Sequence, residues 1–270
     1  MAPGLARVLY YVAADYEPGW LQSADQTFDW DSRTGDWISP SRQIQFLGIQ
    51  RVKTEGLQTF RNVVGCILCN ELIDNFPVHR FAIQGGRVKE VFVTLEGENF
   101  TEVLDEPSSP RIEKRLTSLG LSLTEGYRGE VNLAMEDWTG QLSRALDRGF
   151  ILTIDYGQLA TDLYSPQNSQ GTLVCFNRHV VSSDPYQHIG QQDITCQVDF
   201  TSLMRMGDRH GLTTVGYALQ SQFLTNLGFS SYLDALQTQD LSAARMELGR
   251  MAMMSLVDSD EYGGFKVLAQ

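Results

Sequence analysis

The chain has 270 residues, 42% of them hydrophobic, enough to bury a full core as one large domain or two small ones. Its net charge of −12 argues against a nucleic-acid backbone as partner, because phosphate binding needs clustered Lys and Arg. No apolar run reaches the roughly 20 residues of a membrane-spanning helix, and the start (Met1-Ala2-Pro3-Gly4-Leu5) lacks a secretory h-region, so a cytoplasmic protein without membrane insertion is expected. Acidity of this size suits a cationic substrate such as a Lys or Arg side chain, although most negative surface simply keeps proteins soluble.

Along the chain, Val8 to Ala14 reads as a strand ending at Asp15, and residues 22–40 as a polar, turn-rich surface connection. A short apolar patch, Phe46 to Ile49, reads as a further strand. Val63-Val64-Gly65-Cys66-Ile67-Leu68-Cys69 has the continuous apolar character of a buried strand in a parallel sheet. It delivers Asn70-Glu71-Leu72-Ile73-Asp74-Asn75-Phe76-Pro77 at its end, where open α/β sheets bind ligands. Arg80 to Gln84 and Val88 to Val93 alternate about Gly85-Gly86, the signature of a β-hairpin; residues 79–104 are therefore an antiparallel insertion. Residues 109–120 read as a short amphipathic helix, and residues 130–148 as a longer one carrying Val131, Leu133, Ala134, Trp138, Leu142 and Leu146, stopped by Gly149.

A second core strand, Phe150 to Ile154, ends in Asp155-Tyr156-Gly157, which repeats the α/β unit. Gly171 to Phe176 reads as strand, residues 180–195 as loop, Phe200 to His210 as helix and Leu212 to Tyr217 as a late strand. Residues 232–255 hold a helix whose Met246, Met251, Met253 and Met254 stripe suits core filling. Phe265 to Leu268 reads as the last strand. The whole chain, 1–270, is expected to be a single α/β domain carrying the hairpin.

The thiols Cys66, Cys69, Cys175 and Cys196 include one C-x-x-C, but it lies within a strand and no second pair completes a zinc site; inert thiols in a reducing compartment are expected. No nucleophile elbow, P-loop, H-E-x-x-H or G-x-G-x-x-G is present. What remains is a set of acids at strand ends: Asp15, Glu71 with Asp74, and Asp155. Asp15 suits ribose hydroxyls, or is an ordinary turn acid. Paired carboxylates grip a guanidinium bidentately, and crowding or burial raises one pKa enough for proton removal. Asn70 or Asp74 equally suits capping of exposed N–H groups. His179, Asp184 and His188 share one polar loop at a spacing that matches no standard metal set, so a loop-stabilising role is expected. The Gly190-Gln191-Gln192-Asp193-Ile194-Thr195 run reads as scaffolding beside the pocket.

In order, residues 70–80, Gly129 to Ala134, Gly149 to Gly157, Gly171 to Leu173, His179 with Asp184-Pro185, residues 190–195, Val198 to Thr201 and Gln220 to Gly228 resemble one family. It is the S-adenosylmethionine-dependent methyltransferases that include MidA and the mitochondrial complex I assembly methyltransferase acting on protein arginine. The resemblance runs from about residue 60 to the C-terminus. It implies a class I methyltransferase Rossmann-like sheet in which residues 70–74 end the fourth strand beside the transferring methyl, with Asn70 toward the cofactor. Asp15 would match the acid that holds the adenosine ribose. Glu71 and Asp74 would face the methyl acceptor, and Asp155 would line the same cleft. The cofactor implied is S-adenosyl-L-methionine, and the partner a protein arginine, with a respiratory complex I-type subunit as the candidate bearer.

One departure stands out. Family members carry a Glu-x-Gly-x-Gly-type motif on the first strand and turn, ahead of the segment that matches residues 8–20, and this sequence does not contain it; Gly35 to Pro40 lies on the wrong side to supply it. The sheet is therefore expected to be incomplete, its fourth strand bare along one edge, and the chain to be a truncated form of a longer protein. The alternative is a non-catalytic assembly or interaction protein that keeps the fold.

Overall fold

The computed structural model describes residue 57 and residues 60–270 apart from 179 and 240, together with the backbone of the short strands that precede them. Strand β1 (Tyr10–Asp15) is followed by β2 (Asp29–Asp31), β3 (Asp36–Ile38) and β4 (Gln45–Phe46), which pair antiparallel in that order. The polar connection expected over residues 22–40 thus contributes two strands, each only three residues long. Strand β5 (Gly48–Lys53) runs parallel to β1, with Tyr10 opposite Gly48.

Strand β6 (Val63–Asn70) leads through a 3-10 turn at Ile73–Asn75 to β7 (His79–Gln84), β8 (Arg87–Glu96) and β9 (Asn99–Asp105). The hairpin at Gly85 and Gly86 is present, both glycines at positive φ. It belongs to a larger antiparallel sheet, because after helix α1 (Pro110–Leu119) strand β10 (Arg128–Val131) pairs with β7 to give the order β10-β7-β8-β9. The Ser109 hydroxyl accepts the Arg111 amide N–H at 3.2 Å to open α1, and Gly120 at φ 69° closes it.

The longer helix expected over 130–148 is shorter. Val131 ends β10, α2 covers Ala134–Ala145, and the chain passes straight into β11 (Leu146–Asp155). Gly149 is not a helix stop. It lies in β11 opposite Gly65 of β6, where an added Cβ would stand 1.7 Å from the Gly65 carbonyl oxygen. Glycine is required there by the close approach of two parallel strands.

Beyond β11 come β12 (Gly157–Gln158), α3 (Ala160–Leu163), β13 (Val174–Asn177), β14 (Val180–Ser182), β15 (Asp193–Thr195) and β16 (Val198–Asp199). Strands β14 and β15 flank β13, so the stretch read as a loop over 180–195 is bounded by a small sheet. Helix α4 (Phe200–Arg209) starts at Asp199, whose carboxylate accepts the Ser202 amide N–H at 3.0 Å. Strand β17 (Gly216–Leu219) falls a few residues later than expected; α5 (Gln220–Asn226), α6 (Phe229–Gln237), α7 (Ala243–Ser255) and β18 (Lys266–Ala269) complete the chain.

The principal sheet has the order β17-β18-β11-β6, with β11 parallel to β6 and antiparallel to β18. On one face Cys69 and Ile151, together with Ile73 of the 3-10 turn, pack in one cluster with Trp138 and Leu142 of α2 and Phe200, Leu203 and Met206 of α4. Each fully buried side chain of this kind is worth roughly 1.5–3 kcal/mol. A second cluster joins Phe81 and Ile83 to Ile112, Leu116, Tyr127 and Leu163.

Two burial expectations are corrected. Strand β6 is parallel as read, but only Cys69 in it is buried; Val64 and Leu68 are each 60% exposed, because β6 is paired on one side alone among the described residues. Cys66 is likewise exposed, while Cys69, Cys175 and Cys196 are buried free thiols. The methionine stripe is not core filling either. No residue of α7 is buried, Met251 and Met254 are exposed, and the helix meets α6 through Gly249, which faces Leu236.

Candidate active site at the ends of β6 and β11

Parallel pairing sets Ile154 opposite Asn70, so β6 and β11 end at the same level. Glu71 adds the last rung, its amide N–H donating to the Ile154 carbonyl at 2.9 Å. It then turns the chain out of the strand with φ 45°, a left-handed conformation that costs a residue with a Cβ about 1 kcal/mol. The Glu71 side chain is exposed, and its Oε1 accepts the Asn70 Nδ2–H at 3.1 Å.

Asp155 holds the turn that follows. Its side chain is fully buried, and Oδ2 faces the amide N–H groups of Leu72, Ile73 and Asp74 at 3.2, 3.0 and 3.4 Å. Its Oδ1 accepts the Tyr156 N–H at 2.9 Å. The free N–H groups at the head of the 3-10 turn are therefore capped from the neighbouring strand, not by Asn70 or Asp74. Burial, with Asp74 close by, pushes the Asp155 carboxyl up to about 7, against the pull of its backbone donors. Asp74 is also buried, with Oδ1 accepting the Asn75 Nδ2–H at 2.8 Å; desolvation raises its pKa, and the Tyr156 hydroxyl and Asn75 oppose that rise.

The three acids singled out from sequence thus converge. Glu71 alone among them is exposed, while the Asp74 and Asp155 carboxyls are turned inward. Asp15 ends β1, and its side chain lies outside the described residues, as does His179. Asp184 is engaged within its own loop, its carboxylate accepting from the Tyr186 N–H at 2.9 Å and the Gln187 Nε2–H at 2.8 Å.

Sequence reasoning passed over Tyr156. Its hydroxyl is buried beside Asp74 and Thr195 and makes no hydrogen bond of ordinary geometry. Its ring lies 5.7 Å from that of Phe265, and both line an open groove of about 560 Å³ together with Gln158, Asp162, Tyr217 and Glu261. The signal was its position directly after Asp155 at a strand end.

A family model of S-adenosyl-L-methionine-dependent methyltransferases matches residues 38–218. The chain belongs to this family. Methyltransferases of this family use S-adenosyl-L-methionine as cofactor. The mitochondrial protein arginine methyltransferase NDUFAF7 homolog of Drosophila melanogaster is 26% identical over 215 residues, 75% of this chain and 46% of that protein. The chain spans about half the length of this curated relative. A superfamily member from Burkholderia thailandensis bound to S-adenosyl-homocysteine superposes with a TM-score of 0.78 at 27% identity, covering 96% of this chain and 63% of its own. A second Burkholderia thailandensis structure of the superfamily gives 0.74 at 26% identity, covering 98% and 74%. The α/β methyltransferase fold is thereby shared with these structures. Among the described residues no helix is long and apolar enough to cross a membrane.

Proposed function

We propose that this methyltransferase moves the methyl group of S-adenosyl-L-methionine to a nitrogen of a partner protein, an arginine side chain. The observation that carries the proposal is Glu71: exposed, in a strained left-handed conformation, and held at the head of a turn that Asp155 ties to the adjacent strand. Strain of this kind persists where the surroundings over-determine it, which is common at functional sites. The arginine substrate is supported by the name of the Drosophila relative and by the acidity of the chain. A respiratory complex I-type partner rests on the sequence resemblance, and a cytoplasmic location on the free thiols, whereas the Drosophila relative is named as mitochondrial.

The donor set fits the cofactor. Asn70 and Glu71 present amide and carboxylate oxygens at the exposed end of β6, which complement hydroxyl groups, an ammonium and a sulfonium. When bound, the cofactor supplies an electrophilic methyl. In this reading Asn70 and Asp15 hold it, and Glu71 grips and aligns the acceptor guanidinium. Asp74 and Asp155 keep the turn in place and exclude water beneath it. The whole chain acts as one methyltransferase domain, with residues 79–104 an antiparallel insertion.

Calorimetric titration of the chain with S-adenosyl-homocysteine, followed by transfer of radiolabelled methyl to arginine peptides, tests this function. Micromolar binding lost in Asn70→Ala supports it; absence of binding at millimolar ligand refutes it.

A further inference from the structure

The groove beside Asp155 has a composition that the strand-end acids do not explain. Its floor begins at Gly157, directly after the Asp155-Tyr156 step, so it opens from the end of β11. Tyr156, Tyr217 and Phe265 provide aromatic surface. Exposed carboxylates stand in the lining from two separate elements, Asp162 in α3 and Glu261 before β18, the latter preceded in the chain by the exposed Asp258 and Asp260. Among the described residues the lining cation is Lys266, whose ammonium is held by the Gly264 carbonyl at 2.7 Å and whose pKa burial lowers. Aromatic faces combined with carboxylates attract a planar, weakly hydrated cation more than any other side-chain class.

We propose that this groove is the docking site for a cationic, guanidinium-bearing segment of the partner polypeptide, with Asp162 and Glu261 as its specificity-determining residues. The inference deepens the acceptor reading above and rests on it. Charge complementarity selects the occupant. The open shape admits an extended peptide and not merely a single side chain, and Tyr156 forms the wall on the side of the reaction centre, its ring toward the groove and its hydroxyl beside Asp74.

The probe is an acetylated Gly-Gly-Arg-Gly-Gly peptide with its citrulline counterpart, which keeps the shape and loses the charge. Binding of both to the full chain is followed by NMR titration, alongside S-adenosyl-homocysteine binding by calorimetry. The expected results are a preference for arginine over citrulline and a loss of about fivefold or more in arginine-peptide affinity in the Asp162→Asn/Glu261→Gln double variant. Lys266→Met should tighten arginine-peptide binding, and S-adenosyl-homocysteine binding should be unaltered in the double variant. Equal affinity for the two peptides, or for wild type and double variant, overturns the inference. Arginine discrimination that persists without any S-adenosyl-homocysteine binding would keep the groove assignment and refute the methyltransferase reading instead. Both acids are exposed, so their amide variants fold as the wild type does.

Discussion

The Asp155 Oδ2 accepts the Ile73 amide N–H at 3.0 Å, which ties the end of β11 to the turn that leaves β6. This bond crosses from one strand to the next and sets the direction in which Glu71 projects. Replacing Asp155 by Asn leaves the Leu72, Ile73 and Asp74 amides an oxygen to bond but turns an amide nitrogen toward the Tyr156 N–H. The expected loss is about 1–3 kcal/mol of stability, the cost of one buried unsatisfied donor, read from urea unfolding. An Asp155→Asn chain as stable as wild type would show that the cap carries no weight.

At Glu71 stability and function are expected to move in opposite directions. Glycine at this position relieves the left-handed strain, so Glu71→Gly should gain up to about 1 kcal/mol while losing at least about tenfold in methyl transfer. Thermal unfolding and a radiolabelled-methyl assay read the two quantities. A variant that gains stability and keeps full activity would remove Glu71 from the site.

The buried pair Asp74 and Asp155 gives stability a direction with pH. Both carboxyls have pKa values raised by burial, Asp155 to about 7, so the folded chain holds protons that the unfolded chain has released. Stability from this pair therefore falls as pH rises from about 4 to about 7 and is level above that. Asp74→Asn removes the neighbouring charge and lowers the Asp155 pKa, so unfolding midpoints of that variant should depend less on pH across this window. An unchanged or steeper dependence would contradict the coupling.

Two glycines that face each other across β6 and β11 should respond differently to alanine. A Cβ at Gly149 would collide with the Gly65 carbonyl oxygen, whereas one at Gly65 meets nothing within 4 Å. Gly149→Ala should cost about 3 kcal/mol or more through strand separation, and Gly65→Ala about 1 kcal/mol through its backbone conformation alone. Equal effects in denaturant unfolding would show that the register at this point does not hold the strands together.

Much of this arrangement was legible in the sequence, for physical reasons particular to each element. The apolar runs before Asn70 and Asp155 are long enough to specify strands, and punctuation at Gly85-Gly86, Ser109 and Gly120 marks local structure by stereochemistry alone. Other features were not legible. Val131 fits a helical stripe as well as the strand alternation that pairing with β7 selects. The short strands at Asp29–Asp31, Asp36–Ile38 and Asp193–Thr195 have no hydrophobic period and exist only through their partners. The capping of residues 72–74 by Asp155 joins positions more than 80 residues apart, which no local pattern encodes. The exposure of Val64, Leu68, Met251 and Met254 depends on what packs against them, and composition is silent on that.

The most direct test is an amide NMR map of the chain titrated with S-adenosyl-homocysteine. Saturable shifts concentrated at Asn70 to Asp74 and at Asp155 to Gly157 are the result expected from a methyl-donor seat formed where β6 and β11 end. Shifts that cluster elsewhere, with these residues unmoved at saturation, would contradict it.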